Sequence, residues 1–333
     1  MKSIEASWNG WHLLTLLLLP LSGLFCLLSA IRRLFYRIGW LQVRTLDVPV
    51  IVVGNISVGG TGKTPLVIWL VNRLVDWGFK PGIITRGYGG KSDHWPCEVT
   101  TESLAEEVGD EAILLKRRTG CPVYAGADRS AVAAQLLSEH ACNIIISDDG
   151  LQHYGLNREL EIAVVDGVRR FGNGLCLPAG PLRETPRRLA KVDLVIINGK
   201  PKQGEHSMHV TGVDAHSLDG RSESRKLTTF SDAKVHAIAG IGYPERFFSM
   251  LEANGNGLKL ERHAFPDHYR YSTSDLIAFS SQIVLMTEKD AVKCELFAQP
   301  GHWYVPATAV VDAGFERQLM ALTKRLTDGQ KTA

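Results

Sequence analysis

The chain has 333 residues, 45% of them hydrophobic and 22% charged, with a formal net charge of +2. That content can bury the core of two domains and leaves room for an appendage, while so small a net charge leaves any nucleic-acid partner to be judged from local clusters. The six cysteines (Cys26, Cys97, Cys121, Cys142, Cys176, Cys294) include no C-x-x-C pair, which excludes a zinc ribbon and fits a reducing compartment.

From Ala6 to Ile31 there is no Asp, Glu, Lys or Arg, and the centre of this stretch, Leu13 to Leu28, is Leu-rich with Thr15, Pro20, Ser22 and Gly23 as interruptions. About 20 helical residues cover the ~30 Å of a hydrocarbon core, so this is membrane-anchor material. Arg32, Arg33, Arg37 and Arg44 follow it, against Lys2 alone before it, and the positive-inside rule then leaves the body of the protein on the cytoplasmic face. A cleaved signal peptide would carry its basic residues first and end in a small-x-small site, which Leu-Ser-Ala-Ile-Arg-Arg does not match. Pro20 and Gly23 would kink the helix or tilt it into the interface, so both a span and a helix lying in one leaflet stay open.

Next, the apolar run Val48 to Val53 leads into Ser57-Val58-Gly59-Gly60-Thr61-Gly62-Lys63-Thr64 and a helical pattern over Pro65–Trp77. Strand, glycine turn and helix form the setting of a phosphate-binding loop, in which backbone N–H groups and the helix N-terminus converge on an anion. Lys63 is expected on the β- and γ-phosphates of a nucleotide and Thr64 on a bridging Mg²⁺. Ser57 stands where the usual pattern has its first glycine; Gly59 and Gly60 supply the flexibility. A strand at Pro81–Thr85, helices at Gly109–Arg118 and Arg129–His140, and short β-rich runs at Asn143–Ser147, Ile162–Asp166 and Leu194–Asn198 complete an alternation that predicts a parallel sheet with helices on both faces. Ligands of such sheets bind beyond the carboxyl ends of the strands, where the loop at Ser57, Arg86-Gly87-Tyr88-Gly89 and Asp148-Asp149 fall.

Asn143–Ser147 running into Asp148-Asp149-Gly150 has the form of a Walker B strand, its carboxylates stabilised as anions by a metal; the alternative is a plain Asp-Asp-Gly turn. Gln152 and His153 follow into the same crevice. Asp110 and Glu111 open a predicted helix, where acids are favoured by the dipole, yet Asp110 is also a candidate base for a substrate hydroxyl. Arg129, Arg169, Arg170, Arg183, Arg187 and Arg188 form a basic region suited to phosphate oxygens or to a membrane surface; aromatic residues are not interleaved, which argues against nucleic acid.

Between Lys200 and Arg225 the composition turns polar and predicts a β-ribbon or hinge, with His206 and His209 in solvated loop. A second lobe is expected from Val235–Gly240 (strand), Tyr243–Asn254 (helix), Ile283–Thr287 and Trp303–Val305 (strands), and a last helix, Phe315 to Leu326, packs back on the first lobe. The expected domains are 1–46, anchor and basic segment; 47–222, P-loop lobe; 223–306, lid-like lobe; and 307–333, C-terminal helix. Within the second lobe Phe265-Pro-Asp267-His268-Tyr269 pairs carboxylate and imidazole, and Met286-Thr287-Glu288-Lys289-Asp290 follows a strand and is expected to end either at the same cleft or at the nucleotide base.

Taken in order, the N-terminal apolar anchor, Gly54 to Pro65, Arg86-Gly-Tyr-Gly89, Val108-Gly-Asp-Glu111, Asp148-Asp-Gly-Leu-Gln-His153, Gly180-Pro-Leu-Arg-Glu184, Phe265-Pro-Asp-His268 and Met286-Thr-Glu-Lys-Asp290 resemble the tetraacyldisaccharide 4′-kinase (lipid A 4′-kinase) family over nearly the full length, Ser57 included. The resemblance implies a P-loop α/β lobe, a smaller α/β second lobe and an N-terminal membrane helix. It also implies ATP- and Mg²⁺-dependent phosphorylation of the 4′-hydroxyl of a tetraacylated glucosamine disaccharide 1-phosphate in lipid A biosynthesis, at the cytoplasmic face of the bacterial inner membrane. It assigns Asp110 as base with His268 in support, Lys63 to phosphate, and Thr64, Asp148, Asp149 and Glu184 to the metal end. The substrate side is given to Arg86, Tyr88, Arg129, Gln152, His153, Arg183 and Asp267. Partners implied are the acylated disaccharide and the bilayer, with no nucleic acid and no protein partner. The rival is a membrane-associated P-loop ATPase or GTPase switch; Val58 stands where partitioning ATPases place a signature lysine, and Thr287-Glu-Lys-Asp290 matches a guanine-reading motif poorly.

Overall fold

The computed structural model describes residues 7–8 and 10–330, without the side chains of 327–330; Lys2 and the expected anchor start at Ala6 lie outside the described residues. The first element is a single helix, α1 (Leu13–Arg37), which keeps Pro20 inside it and runs on past the expected end at Ile31. At 25 residues it is about 37 Å long, enough to cross a bilayer. It does not stand free. Trp8 Nε1 donates to Pro178 O (3.0 Å), Ser22 Oγ to Cys176 O (2.7 Å) and Arg33 to Glu184 (2.5 Å), and the rings of Tyr36 and Tyr154 meet at 6.1 Å. The polar Thr15 and Ser22 are its buried residues, while Leu13, Leu17, Leu21, Leu24 and Leu28 are exposed, so the helix turns its apolar side away from the protein.

The first lobe follows with β1 (Val50–Gly54), α2 (Lys63–Asp76), β2 (Pro81–Thr85), β3 (Cys97–Glu98), α3 (Ala105–Val108), α4 (Asp110–Thr119), β4 (Val123–Ala125), α5 (Arg129–Glu139), β5 (Ile144–Asp148), β6 (Leu160–Asp166), β7 (Leu194–Asn198) and β8 (His206–Thr211). The chain crosses to the second lobe for β9 (Asp214–Ser217), β10 (Ser224–Lys226), β11 (Lys234–Ala239), α6 (Pro244–Gly255), β12 (Lys259–Ala264), α7 (Thr273–Ile277), β13 (Ile283–Thr287), α8 (Glu288–Cys294) and β14 (His302–Val305). It then returns with β15 (Thr308–Val311) and α9 (Ala313–Gln330).

The large sheet has the order β15-β8-β7-β6-β1-β5-β2-β4-β3; all neighbours from β8 to β4 are parallel and only the two edge strands run antiparallel. β1 lies at its centre and is fully buried, as a strand covered on both faces must be. Its pleat sends Ile51 and Val53 into the core beneath α2, α4 and α9, and Val50 and Val52 into the core beneath α5. The smaller sheet, β10-β9-β14-β13-β11-β12, is parallel over β14-β13-β11-β12 and has separate cores on its two faces.

Two expectations are corrected here. Strand β9 pairs with β14, so the second lobe begins after Gly212 and not at 223. A Cβ on Gly212 would lie 2.6 Å from Val305 and 2.8 Å from Pro306 O, because the outgoing and returning chains cross between the lobes side by side. His206 and His209 sit on β8 and not in a loop; β8 pairs with β15, and His206 bonds Asp312 (3.3 Å) and Gln318 (2.9 Å). Their polar composition suits a strand near the sheet edge with one face half exposed.

Candidate active site

The expected phosphate loop lies between β1 and α2. Gly59 and Gly62 take φ of +90° and +92°, conformations that a side chain resists. At Gly62 a Cβ would run into the Asn198 amide, which donates to Thr61 O (2.9 Å) and ties the turn to the end of β7. Asn55 Nδ2 donates to Thr61 Oγ1 (3.2 Å) and its Oδ1 accepts from Lys63 Nζ (3.2 Å), so the lysine is aimed before any anion arrives. Val58 N donates to Pro181 O (2.8 Å) and Ser57 bridges to Leu182, fixing the entry of the loop. Gly60 and Thr61 carry the turn into α2, where Thr64 sits in the first turn and its N–H groups have no intrahelical acceptors.

Beside this loop β5 delivers Asp148 and Asp149. Asp148 is buried, and its Oδ1 has no hydrogen-bond partner. Burial, with Glu111 and Asp149 nearby, pushes its carboxyl up to about 7 against the pull of Lys63 and Arg129. An orphaned carboxylate oxygen of this kind suits a divalent cation, whose charge would keep it ionised. Asp149 has φ of +50° and pairs with Arg183 (2.9 Å) and Lys63 (3.4 Å). Burial works to raise its pKa, but these two cations hold it well below the usual carboxylate range.

Across the crevice the second lobe contributes the loop after β12. His268, at φ +57°, places Nδ1 3.1 and 3.2 Å from the carboxylate oxygens of Asp110, the first residue of α4. Tyr88 packs on the imidazole, ring centroids 4.7 Å apart. Burial works to raise Asp110, but His268, Lys289 and Lys293 leave its carboxyl below the ordinary value; burial works to lower His268, but Asp110 leaves it raised. Gly242 closes the gap between this pair and the phosphate loop: a Cβ there would lie 2.6 Å from Gly60 N and 3.1 Å from Asp267 Oδ2. Phosphate loop, paired aspartates and Asp–His pair therefore line one cleft between the lobes.

The family profile of tetraacyldisaccharide-1-P 4'-kinase matches residues 14–324. The chain belongs to the tetraacyldisaccharide-1-P 4'-kinase family. It is 52% identical over 310 residues to the tetraacyldisaccharide 4'-kinase of Nitrosococcus oceani, covering 93% of this chain and 90% of that protein. With the Methylobacillus flagellatus enzyme of the same name it shares 49% over 327 residues, covering 98% and 97%. Among solved structures, LpxK from Aquifex aeolicus in complex with ATP superposes with a TM-score of 0.77 at 28% identity, covering 94% of this chain and 99% of that one.

The structure brings together most, but not all, of the site residues expected of a tetraacyldisaccharide-1-P 4'-kinase. Ser57 to Thr64, Asp110, Asp148, Asp149, Arg183, Asp267 and His268 gather at the cleft. Arg86 and Tyr88, whose ring also packs on His268, border a cavity of about 500 Å³ with Trp95 and Asp128 on its wall. Both oxygens of Glu184 are engaged, by Arg33 (2.5 Å) and Tyr154 (2.5 Å) on one side and Gln152 (3.0 Å) on the other, so the residue ties α1 to the first lobe. Arg129 is turned inward. It is 3% exposed and donates to Gly126 O (2.7 Å) and Asp148 O (3.1 Å), so it clamps the end of β5. Gln152 bridges Asn55 O and Glu184, and His153, half-buried, has its imidazole pushed down to about 4 by burial and by Arg129 and Arg158. Sequence reasoning missed Asn55 and Asn198 as site residues, while Lys289 belongs to the Met286–Asp290 stretch expected at this cleft or at the nucleotide base. The first two stand at or just beyond the carboxyl ends of β1 and β7, a place where ligand-side residues are expected.

Proposed function

We propose that the protein transfers the γ-phosphoryl group of ATP to the 4′-hydroxyl of a tetraacylated disaccharide 1-phosphate held at the cytoplasmic face of the inner membrane. The observation that carries the reading is the placement of the Asp110–His268 pair, half from each lobe, opposite Lys63 and Asp149. Lys63 and the amides from Gly59 to Thr64 hold the triphosphate tail, and Thr64 with Asp148 and Asp149 would hold Mg²⁺. That ion, when bound, neutralises charge on the phosphates. Asp110 accepts the hydroxyl proton, and His268 Nδ1–H steadies its carboxylate. Closure of the second lobe excludes water, which limits ATP hydrolysis without acceptor.

Helix α1 supports an interfacial placement. Because it is tied to the first lobe from Trp8 to Tyr36, its axis cannot cross a bilayer while that lobe stays outside. It lies in one leaflet with its leucine face in the acyl chains and Trp11 and Trp40 exposed near its two ends.

The test is transfer of label from [γ-³²P]ATP to purified lipid acceptor. Label is expected in the lipid with ATP and not with GTP, and Lys63→Ala should lower the rate at least ~10²-fold, the loss of a phosphate-positioning charge. Equal nucleotide hydrolysis with and without acceptor, and no labelled lipid, would favour the ATPase or GTPase switch instead.

A further inference from the structure

Lys289, the second residue of α8, lies in the cleft with its side chain 14% exposed and has no role in the scheme above. Its Nζ lies 3.2 Å from His268 Nε2, 3.2 Å from Asp267 Oδ1 and 3.1 Å from Glu111 Oε1. One ammonium thus touches α4 of the first lobe and the His268 loop of the second. We propose that Lys289 is a positioning residue that sets the tautomer of His268 and locks the two lobes in the arrangement where Asp110 can act; this rests on the kinase reading.

The argument is one of donors and acceptors. An ammonium has three N–H groups and no lone pair, so in its contact with Nε2 the ring must accept. The ring proton is then on Nδ1, 3.1 Å from Asp110, and points at the carboxylate. Asp110, an acceptor at 3.1 Å from Nδ1, favours the same proton position, but without Lys289 it is opposed: Asp267 Oδ1 is 3.8 Å from Nε2 and, as an acceptor, draws a proton to that nitrogen. Groups facing the pair are Lys289 and Lys293 from α8, Glu111 from α4, Asp267 from the His268 loop and the Tyr88 ring; Lys293 is itself held by Asp290 at 2.8 Å. Burial works to lower the Lys289 pKa, but Glu111, Asp110 and Asp267 hold it well above its ordinary value, so the ammonium persists through the working pH range.

Lys289→Met should lower kcat by about 10- to 10²-fold, the cost of a misplaced reacting group, with the KM for ATP unchanged. Removing a cation beside the base should also move the acid limb of the kcat profile upward by about one pH unit. Lys289→Arg, which keeps charge and donors, should recover most of the rate. The ¹⁵N spectrum of the His268 ring should show the Nδ1–H form in the parent and a tautomer mixture in Lys289→Met. An unchanged acid limb and unchanged ring tautomer in Lys289→Met would overturn the assignment even if the rate fell. Should Lys289→Met not fold, an acid limb shifted by Lys289→Arg as far as by the native pair's loss in His268→Gln would count equally against it. A parent protein that never labels the lipid is a different result: it removes the kinase reading itself.

Discussion

Asp110 is 4% exposed, and a carboxylate so deeply placed stays charged only because His268 and two lysines surround it. Asp110→Asn keeps the shape and removes the basicity, so phosphoryl transfer should fall by at least ~10²-fold while ATP affinity is retained, measured by initial rates and nucleotide titration. Loss of ATP affinity in step with rate would make the residue a nucleotide contact instead. His153 carries the clearest pH signature of stability. Its folded pKa, about 4, lies below the ordinary 6.5, so the unfolded chain binds the extra proton between those values and stability declines as pH drops from about 6.5 towards 4. Replacing it with Asn should flatten that part of a melting-temperature profile; an unaltered acid slope would assign the loss to another group. The identities of Lys63, Asp110, Asp149 and His268 were legible from residue type and motif. The inward turn of Arg129 and the pairing of Glu184 with Arg33 were not, because 151 positions separate that pair in sequence and only packing brings them together.

At the scale of elements, α1 shows what periodicity conveys and what it leaves out. The leucine run announced a membrane helix, but the end at Arg37 depends on Arg33 finding Glu184, a partner that lets a cation extend an apolar helix. Exchanging Leu17, Leu24 and Leu28 for Ser should reduce flotation with anionic vesicles by at least ~10²-fold, since each buried leucine contributes roughly 1.5 kcal/mol or more. The melting temperature should hardly move, because these side chains face away from the lobe; undiminished flotation would place the membrane contact elsewhere. The fully buried β2, and β7 and β13, which are buried but for one residue each, were readable as apolar runs to the residue. Strand β12, Lys259–Ala264, was not: it is an exposed edge strand held by its ladder with β11, with no apolar pattern to betray it.

For the whole molecule, the cleft is set by how the second lobe meets the phosphate loop. Arg246 of α6 reaches Asp166 of β6 (2.8 Å), and Tyr243 lies between Arg169 (5.0 Å) and Arg246 (5.6 Å). Gly242 touches Gly59 and Gly60 so closely that Gly242→Ala should hold the lobes apart, lowering transfer by about 10-fold or more with little change in melting temperature. Normal kcat in that variant would mean that closure tolerates a wider gap. The sequence by itself determined the order of elements, the parallel sheet and its phosphate loop, and most of the residues at the cleft, because these follow from local periodicity and from motifs confined to a few neighbouring positions. Tertiary structure alone decided that the second lobe starts after Gly212, that α1 lies flat against the first lobe, and that Lys289 stands between Glu111 and His268. Those outcomes depend on pairings between distant segments, whose energy is gained only once desolvated charges and strand edges have met.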